Sequence, residues 1–166
     1  MARYNLIRKM DIADGPGVRV SIFFQGCHFH CKECFNEETW DFNGGKEFTP
    51  EVIDRVLELA KEDYIDGLSI LGGEPMNPVN RASSLEVAKA FRQKYPDKNI
   101  WMWTGYLFEE IMDEEIFKYI DVLVDGQFKT ELHDFRLKWR GSSNQRVIDI
   151  PKSIKKKKTV LLEGEN

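Results

Sequence analysis

At 166 residues with 42% apolar side chains, the chain is long enough for one domain with its own core, and too short for a complete eight-fold βα barrel of ~250 residues. Its formal charge of −4 argues against a general nucleic-acid coat, and no apolar run is long enough to span a bilayer. Met1 to Met10 alternates charged and apolar residues without the apolar core of a signal peptide, so a soluble, cytoplasmic protein is expected, with neither membrane nor nucleic acid as a partner.

Asp14-Gly-Pro-Gly17 reads as a turn, and Val18 to Phe24 alternates and is β-rich, which predicts a strand. The cysteine segment, Gly26 to Asn36, follows directly. Thr49-Pro50-Glu51 has the signature of a helix start, and Val52, Ile53, Val56, Leu57 and Ala60 recur at helical spacing after it. Leu68 to Leu71 reads as a short buried strand ending in Gly72-Gly73-Glu74-Pro75. A helix is predicted over 81–94, with Leu85, Ala88 and Phe91 on one face, then a strand from Ile100 to Trp103 ending in Thr104-Gly105. Phe108, Ile111, Met112 and Phe117 point to another helix, Val122 to Val124 to a strand ending in Asp125-Gly126, and Arg146 to Ile150 to a last strand. The rhythm predicts an α/β fold: a partial, open βα barrel of about five or six parallel strands. It forms a single domain over 1–150, with a basic tail over 151–166 that holds the Lys155–Lys158 run.

The cysteine loop, Gly72-Gly73-Glu74, Thr104-Gly105 and Asp125-Gly126 all follow C-terminal ends of predicted strands. In a parallel α/β architecture those ends share one side of the sheet, where sites form.

All three cysteines lie in the run Cys27-His-Phe-His-Cys31-Lys-Glu-Cys34, so the chain offers no fourth thiolate. Spacing this tight lets one loop wrap three thiolates around one iron–sulfur cluster, and a four-iron cube held by three cysteines keeps one iron open to an exogenous ligand. A zinc site of the Cys3His type, with His28 or His30 as fourth ligand, competes on spacing alone. Anaerobic purification separates the two, since one protein is brown with about four irons and the other colourless with one zinc.

Asp14-Gly-Pro-Gly-Val-Arg19, Phe24-Gln-Gly-Cys27 and the three-cysteine run resemble the opening of the radical-SAM activating enzymes, and Gly72-Gly73-Glu74-Pro75 resembles that superfamily's second motif. Trp103-Thr-Gly-Tyr106, Asp125-Gly126 and the stretch from Trp139 to Arg146 resemble the activases of the anaerobic ribonucleoside-triphosphate reductase. Many superfamily members place an aromatic residue before the third cysteine. Here that position is Glu33, and Phe35 follows Cys34 instead; the reductase activases often lack that aromatic too.

The resemblance implies a [4Fe-4S] cluster on Cys27, Cys31 and Cys34 whose open iron binds S-adenosyl-L-methionine. It implies reductive cleavage to a 5′-deoxyadenosyl radical, and a glycyl radical left on the large anaerobic reductase. Gly72, Gly73, Glu74 and Pro75 would receive the methionine end of the cofactor, and Thr104 and Asp125 would serve as further cofactor contacts. Arg19 either faces the cofactor or solvent, and Asn144-Gln145-Arg146 contacts cofactor or partner or forms a loop network. Flavodoxin is the expected low-potential electron donor. The alternatives are an activase of pyruvate formate-lyase, another small radical-SAM enzyme acting on a heterocycle, and a zinc-binding interaction module.

Overall fold

The computed structural model describes all 166 residues. Seven strands form one sheet: β1 (Arg3–Asp11), β2 (Val18–Phe24), β3 (Lys46–Glu47), β4 (Ile65–Gly72), β5 (Asn99–Trp103), β6 (Val122–Asp125) and β7 (Arg146–Asp149). The helices are α1 (Pro50–Leu59), α2 (Arg81–Lys94), α3 (Phe108–Ile111) and α4 (Ile150–Lys156). No helix is long and apolar enough to cross a membrane.

The strand order is β3-β1-β2-β4-β5-β6-β7. Parallel pairing is confined to β2, β4, β5 and β6, while β1, β3 and β7 each pair antiparallel with their neighbours at the two sides. This corrects the expected count of about five or six parallel strands, and the sheet is open. Residues 126–145 between β6 and β7 hold only one short 3-10 turn, Thr130–Leu132. Without a crossover helix the chain can only return antiparallel.

Period-two alternation divides the sheet into two faces. Val20, Ile22, Phe24, Leu68, Ile70, Ile100, Met102, Leu123 and Ile148 pack in one core with Val52 and Val56 of α1 and Val87, Ala88 and Phe91 of α2. Their sequence neighbours point the other way. Trp101, Val122, Val124 and Val147 form a second, smaller cluster there with Trp103, Trp139 and Leu162. Phe23, Leu71 and Trp103 line the main cavity from that helix-free face.

α2 spans the predicted residues. The helix expected from Phe108 to Phe117 is broken instead: α3 has four residues, and a 3-10 turn follows at Glu115–Lys118. Their apolar residues, Phe108, Ile111, Ile116 and Phe117, are buried as their pattern requires. The segment beginning at Pro151 is helical in its first part. Asp149 caps α4 by accepting from the Lys152 amide (3.0 Å), and Leu161 bridges back to Ile148.

Candidate iron–sulfur and cofactor site

The loops after β2, β4, β5 and β6 meet at one cavity of about 520 Å³. Cys27, Cys31, Cys34, Gly72, Gly73, Glu74, Thr104, Gly105 and Gly126 line it. The convergence expected from the strand ends is therefore present, with one exception. Asp125 is fully buried and is not in the lining. Its carboxylate accepts from Arg146 Nε (3.0 Å) and Nη2 (2.5 Å) and from the Phe108 amide (2.8 Å). Arg146 continues to Glu109 (2.9 Å). The Asp125–Arg146 pair thus locks β6 to β7 and fixes the start of α3. Gln145 holds the same corner, accepting from the Gly141 amide (2.9 Å) and donating to the Gly126 carbonyl (3.0 Å). Asn144 donates to the Gln127 carbonyl (2.8 Å).

Glu74 lines the cavity but its carboxylate is occupied. Oε2 accepts from Thr104 Oγ1 (2.7 Å) and the Met76 amide (2.9 Å), and Oε1 accepts from the Gly105 amide (2.7 Å). Burial pushes this carboxyl up to about 7 against the pull of those three donors. Glu74 and Thr104 together clasp the β4 loop to the β5 loop. Pro75 is buried outside the lining, and its carbonyl accepts from Ser84 of α2 (2.8 Å).

The cysteine loop is tied to the glycine turn by side chains that sequence reading did not single out. Thr39 Oγ1 accepts from the Gly73 amide (2.6 Å) and donates to the Asn36 carbonyl (2.5 Å). Asn36 donates its side-chain amide to the Gly72 carbonyl (3.0 Å) and its backbone amide to Cys34 Sγ (3.4 Å). Asn80, fully buried, donates to the carbonyls of Gln25 and Glu74 (both 3.0 Å). The Gln25 side chain holds the carbonyls of Glu38 (3.0 Å) and Asp41 (2.8 Å). Of the bonds made by Thr39 and Asn36, only Thr39–Asn36, of the kind Thr makes near turns, and Asn36–Cys34 are local, and they are the one signal the sequence offered for these two residues. Thr39→Val removes the acceptor of the Gly73 amide at nearly constant volume. It is expected to lower the stability of the cluster-free protein by about 1–2 kcal/mol in urea unfolding, while Thr39→Ser stays near wild type.

Arg19 faces neither solvent nor cavity. It donates to Ser69 Oγ (2.7 Å), the Leu68 carbonyl (2.9 Å) and the Pro16 carbonyl (3.1 Å), and lies over the Trp101 ring at 5.9 Å. Ser69 in turn donates to the Asp14 carbonyl (2.5 Å). Gly15 has φ +109°, and a Cβ there would stand 2.8 Å from Arg19 Nε, so the Asp14–Gly17 turn is moulded onto this guanidinium.

Asp14, at the cavity edge, is pushed up to about 7, first by burial and then by its neighbour Asp11. Asp11 is lowered: burial opposes this, but hydrogen bonds from Asp14, Ser21 and the Ala13 amide outweigh it. An unfolded chain releases the Asp14 proton near pH ~4, whereas the folded chain keeps it to about 7. The folded state binds more protons across that window, so stability falls as pH rises through it. Thermal unfolding of cluster-free protein is expected to show a lower midpoint at pH 8 than at pH 6, with a smaller difference in Asp14→Asn.

The lining fits an iron–sulfur cluster with a small polar cofactor beside it. Three half-buried thiols provide soft donors. No three His, Cys, Asp or Glu side chains converge closely enough to hold a single metal ion. Burial pushes the Cys27 thiol up to about 11, and the nearby Glu74 carboxylate adds to this, so a bound cation is needed to hold it as thiolate. The histidines of the zinc alternative lie outside the lining. His28 Nδ1 is 3.1 Å from Asn77 Nδ2, and the His30 ring stacks on Trp40 at 4.5 Å.

The family model described as "4Fe-4S single cluster domain" matches residues 13–148. An anaerobic ribonucleoside-triphosphate reductase-activating protein of Vibrio cholerae is 41% identical over 148 residues, covering 87% of this chain and 96% of the relative. The proteins of that name from Enterobacteria phage T4 and Escherichia coli strain K12 are 39% and 38% identical, over 87% of this chain and 92% and 96% of theirs. Residues 13–148 reach from the Asp14–Gly17 turn to β7 and so include every loop of the cavity. The chain belongs to the 4Fe-4S single cluster domain family and, within it, to the anaerobic ribonucleoside-triphosphate reductase-activating proteins.

Proposed function

We propose that this protein is a radical-SAM activase that installs a glycyl radical on the large subunit of the anaerobic (class III) ribonucleotide reductase. The observation that carries the reading is that Cys27, Cys31 and Cys34 share one cavity with Gly72, Gly73, Glu74 and Thr104. When bound, the [4Fe-4S] cluster and S-adenosylmethionine supply reductive cleavage of the sulfonium to methionine and a 5′-deoxyadenosyl radical, which removes the α-hydrogen of a reductase glycine.

Cys27, Cys31 and Cys34 would hold the cluster as thiolates, and the chain has no fourth cysteine to join them. The Gly72-Gly73 turn lets backbone approach the methionine end closely, and the Gly73 carbonyl accepts no hydrogen bond within the protein. Glu74 positions that turn against Thr104 and Gly105. Asp125, paired with Arg146, positions the β6 end of the cavity from behind. The open sheet is read as a partial radical-SAM barrel whose unclosed side admits a polypeptide. A low-potential donor such as flavodoxin fits the reductive step, in the cytoplasm, without nucleic acid or membrane.

The test mixes anaerobically reduced protein, S-adenosylmethionine and the anaerobic reductase, then records an EPR spectrum. A glycyl-radical doublet that needs all three components is expected. Cleavage of the cofactor with no radical on the reductase, but with one on pyruvate formate-lyase, would reassign the target.

A further inference from the structure

We propose that an aromatic crown of Phe35, Phe128, His133 and Phe135, edged by Leu132, is the surface on which the glycine-bearing segment of the reductase docks. The inference rests on the function proposed above and specifies the side by which the substrate reaches the cavity.

The crown joins two loops distant in sequence. Phe35 directly follows Cys34, and the other residues belong to the β6–β7 loop, which folds back over the site. The Phe35 ring lies 5.2 Å from Phe128 and 5.7 Å from His133, and His133 lies 5.4 Å from Phe128 and 4.3 Å from Phe135. Thr130 Oγ1 donates to the Lys32 carbonyl (2.9 Å), which pins the same loop to the cysteine loop.

Two observations mark the crown as a docking face. First, Phe135 is 89% exposed and Phe35 64% exposed, in a chain that buries Phe24, Phe91 and Phe108 completely. Clustered exposed rings of this kind are where polypeptide partners anchor, because a ring gives much contact area for little lost conformational freedom. Second, Phe35, Phe128, His133 and Phe135 line the same cavity as the three cysteines, so whatever covers them stands at the mouth of the site.

Charge narrows the occupant. Residues 127–145 carry Lys129, Arg136, Lys138 and Arg140 against Glu131 and Asp134, a local excess of positive charge on a chain of net −4. Arg136 is exposed and pairs with Asp134 (2.9 Å). The complementary partner is a polypeptide with an apolar contact and an acidic border. A second copy of this chain and a single-stranded nucleic acid are weaker fits. A second copy docked face to face would bring two positive borders together, and a nucleic acid would have to approach against the chain's net negative charge.

The experiment uses cluster-loaded protein and whole reductase, comparing Phe135→Ser and Lys129→Glu with wild type and with Tyr64→Ser, an exposed aromatic outside the cavity. Reductase affinity by biolayer interferometry is expected to fall about tenfold or more in Phe135→Ser. Lys129→Glu is expected to slow association and flatten its salt dependence. Glycyl-radical yield should fall in step with affinity, and iron content and unfolding midpoint should match wild type. Tyr64→Ser should bind as wild type. Unchanged reductase affinity in Phe135→Ser overturns the proposal. So does a Phe135-dependent self-dimer, or Phe135-dependent binding of a single-stranded oligonucleotide, with reductase affinity intact. Failure of the underlying function reads differently, because wild-type protein would then bind the reductase without forming any radical on it.

Discussion

Replacing Cys34 by alanine is expected to abolish S-adenosylmethionine cleavage and most of the iron content, while leaving the cluster-free fold nearly as stable as wild type. Cys34 is half-buried in a loop and its Sγ takes one protein hydrogen bond, from the Asn36 amide (3.4 Å). Removing it therefore perturbs the cluster-free stability by no more than about 0.5 kcal/mol. The cluster loses one of only three protein ligands, and no other cysteine exists to replace it. Cleavage assays on anaerobically reconstituted protein, read beside iron content and a urea melt, separate cluster loss from misfolding. Full cleavage by Cys34→Ala would remove the loop from the chemistry, and the same loss is expected for Cys27→Ala and Cys31→Ala.

Gly73→Val is expected to weaken S-adenosylmethionine binding about 10- to 100-fold, equivalent to about 1.4–2.7 kcal/mol. A Cβ at this position would stand 2.6 Å from the Phe24 carbonyl oxygen and 2.9 Å from the Gly26 carbonyl oxygen. Both are backbone atoms at the end of β2, and the Gly26 carbonyl already accepts from the Glu74 amide (2.8 Å). Neither can step aside, so the turn itself must lift away from the cysteine loop. That shift stretches the Thr39 bond to the Gly73 amide and displaces the Gly73 carbonyl proposed for the methionine end. Gly73→Ala meets the same contacts with less bulk and should fall between Val and wild type. Equilibrium dialysis against labelled cofactor measures the change, with iron content as control. An affinity equal to wild type would exclude Gly73 from the site.

The strand–helix rhythm and the cysteine spacing were legible because both are local patterns. α2 spans the predicted residues, and the four parallel strands lie where alternation and short apolar runs placed them. The direction of β7 was not legible, because it depends on whether residues 126–145 contain a crossover helix, and their aromatic and charged residues have no helical period to decide it. β1 was missed as well, since β3 covers only its start at Arg3 and Tyr4, and the uncovered remainder leaves Arg8, Lys9 and Met10 exposed and blurs the alternation.

Most of the residues singled out for the site do line the cavity, but its aromatic lining and the residues that hold it together were mostly not singled out. Thr39 and Gly73 are 34 residues apart, and Asn80 and Gln25 are 55 apart. Bonds of that range follow from the packed fold rather than from any motif. Asp125 shows the same limit from the other side. An aspartate after a strand at the correct end of the sheet has the position of a cofactor ligand, but Arg146, 21 residues on, takes its carboxylate.

The most direct measurement is the iron and acid-labile sulfide content of anaerobically reconstituted protein, together with its Mössbauer spectrum before and after S-adenosylmethionine is added. About four irons and four sulfides per chain are expected, with a single iron whose signal shifts when the cofactor binds. Colourless protein that retains one zinc and no sulfide would contradict a three-thiolate cluster with an open iron.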